Sequence, residues 1–393
     1  MPSSWDNFFT AALERAHRER RFRQPSDRED SSCDLGSNDY LGLSTHPEVI
    51  AAAEKNLCPR WGSGASPVIG GTSDSHRKLH SALASLAGSP TALSFSSGYA
   101  TNVGVLSAIA GKEDVILSDQ LNHASLIDGC RLSGAKRVIF PHRSCSFVAD
   151  WLKENRSSAR RTIIVTESVF SMDGDKAPID ELFGLANQYD CCFVVDEAHA
   201  TGIYGEQGGG CLEELGLNAS WPGRLIKLGT LSKAIGGIGG FVAGTQDCID
   251  FLINYCRSYL FSTAAPPACA AAAAKAARLI PSLREERHRL RALSVSLRER
   301  LKQLGWQIST SGAGDAETSD SPIIPIVIGD AAETVRIAVA LKNAGFSVPA
   351  IRPPTVPAGT SRLRISLSTR VSQADLDRFL AILGPRTESL TNK

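Results

Sequence analysis

Seven short β-rich runs separated by helical stretches, between about residues 90 and 245, constrain the fold of this chain more than any other feature. They read "TALSFSS", "DVILSD", "KRVIF", "RTIIVTES", "CCFVVDEA", "RLIKLGTLS" and "GGFVAG". Apolar runs without clean polar alternation are what strands covered on both faces look like. The stretches "SGYATNVGVLSAIAGK" and "IDELFGLANQYD" supply helices between them, the second with Ile179, Leu182, Phe183 and Leu185 at helical spacing. The expected architecture is α/β, a large domain whose mostly parallel sheet is wrapped by helices.

A chain of 393 residues exceeds what one hydrophobic core usually serves, so two structural units are expected. The character changes from about residue 266, where "PPACAAAAAKAARLI" reads as an alanine-rich helix begun by proline. Residues 283 to 304 form a charged helix with leucines at 290, 293, 297, 301 and 304. The last ninety or so residues, with "SPIIPIVIGD", a helix near 331 to 344 and "SRLRISLS", read as a smaller α+β domain. The expected division is an N-terminal helix and segment at 1–45, a large domain at 46–282, and a linker helix with a small domain at 283–393. "SGAGDAETSD" reads as a polar surface loop, and no internal repeat is visible.

Bulk charge excludes some partners. Lys plus Arg number 42 against 41 for Asp plus Glu, so no net field draws the chain to nucleic acid or to an anionic membrane. The ten cysteines are scattered without a CxxC pair, which fits reduced thiols in a cytoplasmic protein. The start, "MPSSWDNFFTAALERAHRERRFRQP", lacks an apolar signal region and reads as an amphipathic helix. No uninterrupted apolar run approaches the roughly 20 residues of a membrane span. No metal site is expected.

Chemistry concentrates at the ends of the predicted strands, where ligands of doubly wound sheets collect. In "FVVDEAHATG", Asp196 closes an apolar run and His199 follows three residues later. A carboxylate there is costly unless it meets a cation or donors, or caps the next helix. In "GTLSKAIGGIGG", Lys233 stands among small residues that let a flat molecule approach its amine. A desolvated lysine is a nucleophile. A lysine paired with an aspartate suggests a cofactor that carries both an aldehyde and a ring nitrogen, which pyridoxal 5'-phosphate does. The glycines lack the GxGxxG spacing of a dinucleotide site. "SFSSGYATN" places Ser97, Gly98 and Tyr99 between a strand and a helix, where amides and a hydroxyl can hold a phosphate. "LNHASLIDG" places His123 after a strand, either stacked on a planar ring or satisfied structurally.

Together "SNDYLGL" (37–43), "GSGAS" (62–66), "SSGY", "NHAS", "ESVFSMDGD" (167–175), "VDEAHATG", "GTLSKAIGG" and "FSTAAPP" (261–267) resemble the α-oxoamine synthases across nearly the whole chain. That resemblance implies fold type I of the pyridoxal-phosphate transferases and the condensation of an amino acid with an acyl thioester. "AIRPPTVPAGTSRLRISL" (350–367) is similar to the C-terminal motif of members that join L-alanine to a pimeloyl thioester in biotin synthesis. The carrier would be pimeloyl-CoA or pimeloyl-acyl carrier protein. Sister enzymes that use other substrates, such as glycine with acetyl-CoA, are the alternative. A partner subunit without catalysis is a third reading.

The resemblance also implies roles. Lys233 would form the imine with the cofactor and later move the α-proton. Asp196 would keep the ring nitrogen protonated, His199 would bond the ring hydroxyl, and His123 would lie on the ring face, near substrate. Ser97, Gly98, Tyr99, Ser171 and Thr230 match cofactor positions, and Thr263 would reach a neighbouring subunit's phosphate, implying a homodimer. Arg364 matches the arginine that holds the amino-acid carboxylate. Arg23, Asn38 and Thr355 match substrate positions, and Arg352 would meet the far carboxylate of the pimeloyl chain. Two residues depart from the pattern: Tyr99 stands where phenylalanine is common, and Pro67 where arginine or a small polar residue is often found.

Overall fold

The computed structural model describes residues 3–19, 21–25, 33–309 and 319–386. Residues 311–318 of the expected polar loop lie outside them. Two compact units form. Asn38–Ser171 with Asp175–Arg289 make the larger; Met172–Gly174 with the described residues of Met1–Ser37 and Leu290–Lys393 make the smaller. The division thus falls at 37/38 and 289/290, against the 45/46 and 282/283 read from composition, and the N-terminal segment groups with the C-terminal residues.

Twelve strands occur among the described residues. In chain order they are β1 (Cys33–Asp34), β2 (Thr91–Phe95), β3 (Val115–Asp119), β4 (Lys136–Phe140), β5 (Thr162–Glu167), β6 (Cys192–Asp196), β7 (Leu225–Thr230), β8 (Gly240–Gly244), β9 (Ile323–Gly329), β10 (Phe346–Ser347), β11 (Ala350–Ile351) and β12 (Ser361–Ser366). All seven runs read from the sequence become strands of one sheet in the larger unit, ordered β2-β8-β7-β6-β5-β3-β4. β8 runs against the other six strands, being antiparallel to both β2 and β7. The strands β3, β5, β6 and β7 are buried along their whole length or nearly so, which is why their sequences do not alternate. Leu93, Val105, Leu106, Ile116, Val165, Val194, Leu228 and Val242 belong to the core between this sheet and its helices.

Four of the parallel strands finish on polar residues: Asp119, Glu167, Asp196 and Thr230 are the last of β3, β5, β6 and β7. Register places Glu167 beside Asp196. The sheet thereby gathers on one edge side chains that lie far apart in the chain.

In the smaller unit β11, β12 and β9 form an antiparallel sheet, and β1 pairs with β10. Pro325 is tolerated inside β9 because that strand is an edge. The helix Arg284–Gln303 runs across the division and buries Leu290, Leu297 and Leu301. Arg362 on β12 is buried and donates to Asp173 Oδ1 at 2.6 Å, tying the segment Met172–Gly174 to this sheet. All ten cysteines are free. No described helix is long and apolar enough to cross a membrane.

Candidate active site

Lys233 sits on the segment between β7 and β8, with Nζ 2.8 Å from His199 Nε2. The other ring nitrogen of His199 lies 2.7 Å from the hydroxyl of Tyr40, a fully buried residue of the "SNDYLGL" stretch. The Tyr40 hydroxyl donates to Asn38 Oδ1 at 3.2 Å. Four side chains spread over 196 residues of sequence therefore form one connected chain, and Tyr40 is a member that sequence reasoning quoted without assigning.

Asp196 is buried at the carboxyl end of β6. Its Oδ1 accepts from the Ala198 backbone N–H at 2.9 Å and its Oδ2 from Asn102 Nδ2 at 2.7 Å. Asn102 comes from the helix Gly98–Ile109 and also donates to Ser125 Oγ at 2.9 Å. Ser125 lies 2.7 Å from His123 Nδ1. Asp196 and His123, read as separate sites in the sequence, are thus linked through two residues that the reading did not single out.

His123 caps the helix Ala124–Leu132, and its backbone N–H donates to Glu167 Oε1 at 2.6 Å. Burial raises the pKa of Glu167, and the neighbouring Asp196 charge adds to the rise while Lys233 opposes it. Burial lowers the pKa of His123; Asp196 pulls the other way and Lys233 reinforces the lowering. Beneath Asp196, Glu197 and Lys227 form a fully buried ion pair at 2.7 Å. Glu197 also accepts from the Leu212 N–H at 3.0 Å, which satisfies its other oxygen.

Ser97 accepts from the Ala100 N–H at 3.0 Å and so caps the helix Gly98–Ile109. Among the described residues, neither the Gly98 nor the Tyr99 amide has an acceptor within the chain. Two free N–H groups at the start of a twelve-residue helix are a cradle for an anion. A Cβ built on Gly98 would come within 3.3 Å of the Thr230 side chain, so Thr230 borders that cradle. The Tyr99 side chain turns to the surface and donates to Asp128 at 2.5 Å, leaving its backbone position to serve as phenylalanine's would.

The glycines after Lys233 serve the backbone. Gly236 has φ +73° and a Cβ there would stand 2.4 Å from the Ser44 nitrogen; Gly239 has φ +127° and would meet the Phe95 carbonyl oxygen at 2.8 Å. Turning and close packing, rather than open space beside the amine, require them. Ser171 is half-buried next to a turn in which the Phe170 N–H donates to the Asp175 carbonyl. Thr263 is exposed and borders a pocket with Pro67, His76, His80 and Ser96.

Within the smaller unit, Arg23 donates to Thr355 Oγ1 at 3.1 Å, joining two residues 332 positions apart that were both read as substrate-binding. The Thr355 N–H donates to the Arg352 carbonyl at 3.1 Å. Arg364 is buried on β12, in register with Pro325.

The family model described as aminotransferase class I and II matches residues 31–383. The chain belongs to that family. Among its curated relatives is "8-amino-7-oxononanoate synthase 2" of Bacillus subtilis, 46% identical, with 88% of this chain and 85% of the relative covered. The 8-amino-7-oxononanoate synthase of Pseudomonas putida is 42% identical over 91% and 88%. Among solved structures, a serine palmitoyltransferase variant from S. paucimobilis with bound PLP-myriocin aldimine superposes with a TM-score of 0.88 at 30% identity, covering 97% of this chain and 98% of that one. The α/β fold with its mostly parallel sheet is the fold of these pyridoxal-phosphate enzymes.

The residues present suit that cofactor. They offer a primary amine for an aldehyde, unbonded helix amides for a phosphate, and a buried carboxylate for a ring nitrogen.

Proposed function

We propose that this enzyme condenses L-alanine with a pimeloyl thioester, with loss of carbon dioxide, to form 8-amino-7-oxononanoate for biotin synthesis. Kinship with the 8-amino-7-oxononanoate synthases supports the reading. One observation carries it: the Lys233 amine lies 2.8 Å from His199 in the unit that also holds Asp196 and the free helix amides.

Pyridoxal phosphate, when bound, supplies an electron sink for negative charge at the α-carbon of alanine. Lys233 would hold its aldehyde until the alanine amine displaces it, and Asp196 would keep a proton on its ring nitrogen. Gly98, Tyr99, Ser97 and Thr230 would hold its phosphate end, His199 would hold its ring hydroxyl, and Ser171 would contact it as well. Arg364 binds the alanine carboxylate through its planar fork. Lys233 Nζ then removes the α-proton. The α-carbon would bond to the thioester carbonyl, and the carrier sulfur would leave as a thiolate that takes a proton from solvent. The bond from the α-carbon to the carboxylate then breaks, carbon dioxide departs, and Lys233 returns a proton to that carbon.

Asn38, Arg23, Thr355 and Arg352 bind substrate, Arg352 through the distal carboxylate of the pimeloyl chain. Thr263 contacts the phosphate of a second copy, so the active assembly is a homodimer. Purified protein given L-alanine with pimeloyl-CoA, and separately with pimeloyl-acyl carrier protein, is expected to release free thiol with at least one carrier. Release with neither, or stronger turnover of glycine with acetyl-CoA, refutes the assignment.

A further inference from the structure

Asn102, on the helix Gly98–Ile109, and Ser125, on the helix Ala124–Leu132, occupy the path between Asp196 and His123. The side-chain amide of Asn102 has two N–H groups, and both are spent, one on Asp196 Oδ2 at 2.7 Å and one on Ser125 Oγ at 2.9 Å. Turning the amide over would set its oxygen against the carboxylate, so the orientation is determined. Its oxygen is buried without a partner, a loss that an apolar side chain would not incur.

Ser125 Oγ accepts from Asn102, which leaves its own proton for His123 Nδ1 at 2.7 Å. The backbone N–H of Ser125 donates to the same nitrogen at 3.2 Å. A ring nitrogen that receives two donors carries no proton, so the single proton of the neutral ring stands on Nε2. The titratable groups near the ring are Asp196, Lys233 and Glu167, which receives the His123 backbone N–H.

We propose that Asn102 and Ser125 are positioning residues that lock His123 as its neutral Nε2–H tautomer and hold it in fixed relation to the Asp196 carboxylate. The catalytic consequence rests on the function proposed above, with Asp196 at the cofactor's ring nitrogen and His123 on its ring face as the family resemblance implies. The tautomer itself is a property of the protein without cofactor.

That independence sets the experiment. Protein freed of cofactor and labelled with 15N in its histidine rings is compared with Asn102→Leu and Ser125→Ala, the His123 signals being those absent from His123→Gln. Circular dichroism verifies that each variant is folded. In the parent, Nδ1 is expected at the position of a bare ring nitrogen and Nε2 at that of an N–H. Both variants are expected to move the ring toward Nδ1–H or an exchanging mixture. A parent ring protonated on Nδ1, or an unchanged tautomer in both folded variants, overturns the proposal. With cofactor and substrates added, each variant is expected to lose about tenfold in kcat, the worth of one hydrogen bond, with the KM for alanine nearly unchanged. An unchanged kcat in both refutes the catalytic consequence, whereas failure of the parent to turn over refutes the proposed reaction and leaves the tautomer result standing.

Discussion

His142 follows β4 and bridges two buried carboxylates, with Nδ1 2.9 Å from Asp119 and Nε2 2.7 Å from Asp175. Burial alone would drive its proton off, but the two carboxylates outweigh it and raise the pKa from 6.5 to about 9. A group whose pKa is higher in the folded protein binds more protons there than when unfolded, so its stabilisation is complete below pH 6.5 and is lost as the pH climbs through about 9. The gap of about 2.5 pH units corresponds to about 3 kcal/mol. Urea unfolding of the parent and of His142→Gln, from about pH 6 to about pH 10, isolates this contribution because other titrating groups cancel in the difference. The parent's advantage is expected to shrink by about 3 kcal/mol across that range. An advantage that stays level to the alkaline end refutes the doubly paired imidazolium. The bridge matters to the site because Asp119 also anchors the Leu121 N–H at the start of the loop to His123, and Asp175 lies four residues after Ser171.

Lys233→Ala is expected to abolish thiol release while circular dichroism stays that of the parent, since the side chain is only half-buried. Arg364→Ala should raise the KM for alanine by roughly tenfold to a hundredfold, the value of a charge-assisted bond, with a smaller effect on the KM for the thioester. Lys227→Met removes the cation that pairs with the buried Glu197. Its urea midpoint should fall by the equivalent of about 3–5 kcal/mol, and Lys227→Met with Glu197→Leu together should recover most of the loss.

The reactive ends of the site were legible because they obey a local rule. An apolar run that stops on a charged residue marks the end of a buried strand, and in such sheets that end faces ligand. Asp196 follows from it directly, while Thr230 was implied only by the family resemblance. The glycines near Lys233 were read for their smallness, yet what they answer to is Ser44 and the Phe95 carbonyl, neighbours that no local pattern reveals. Tyr40 and Asn102 stood inside quoted motifs and carried no signal of their own, because a tyrosine or an asparagine is uninformative until its partner is known.

By itself the sequence determined the seven strands, their helices, the family, and which side chains are chemically able to act, since all of these depend on residues within a few positions of one another or on a pattern shared with relatives. Only the tertiary structure decided how those side chains meet. Asn102 reaches Asp196 across 94 residues and Tyr40 reaches His199 across 159, and both contacts exist because strand order and helix packing close those distances. Hydrogen bonds require approach to about 3 Å, and that precision belongs to packing in three dimensions rather than to spacing along the chain.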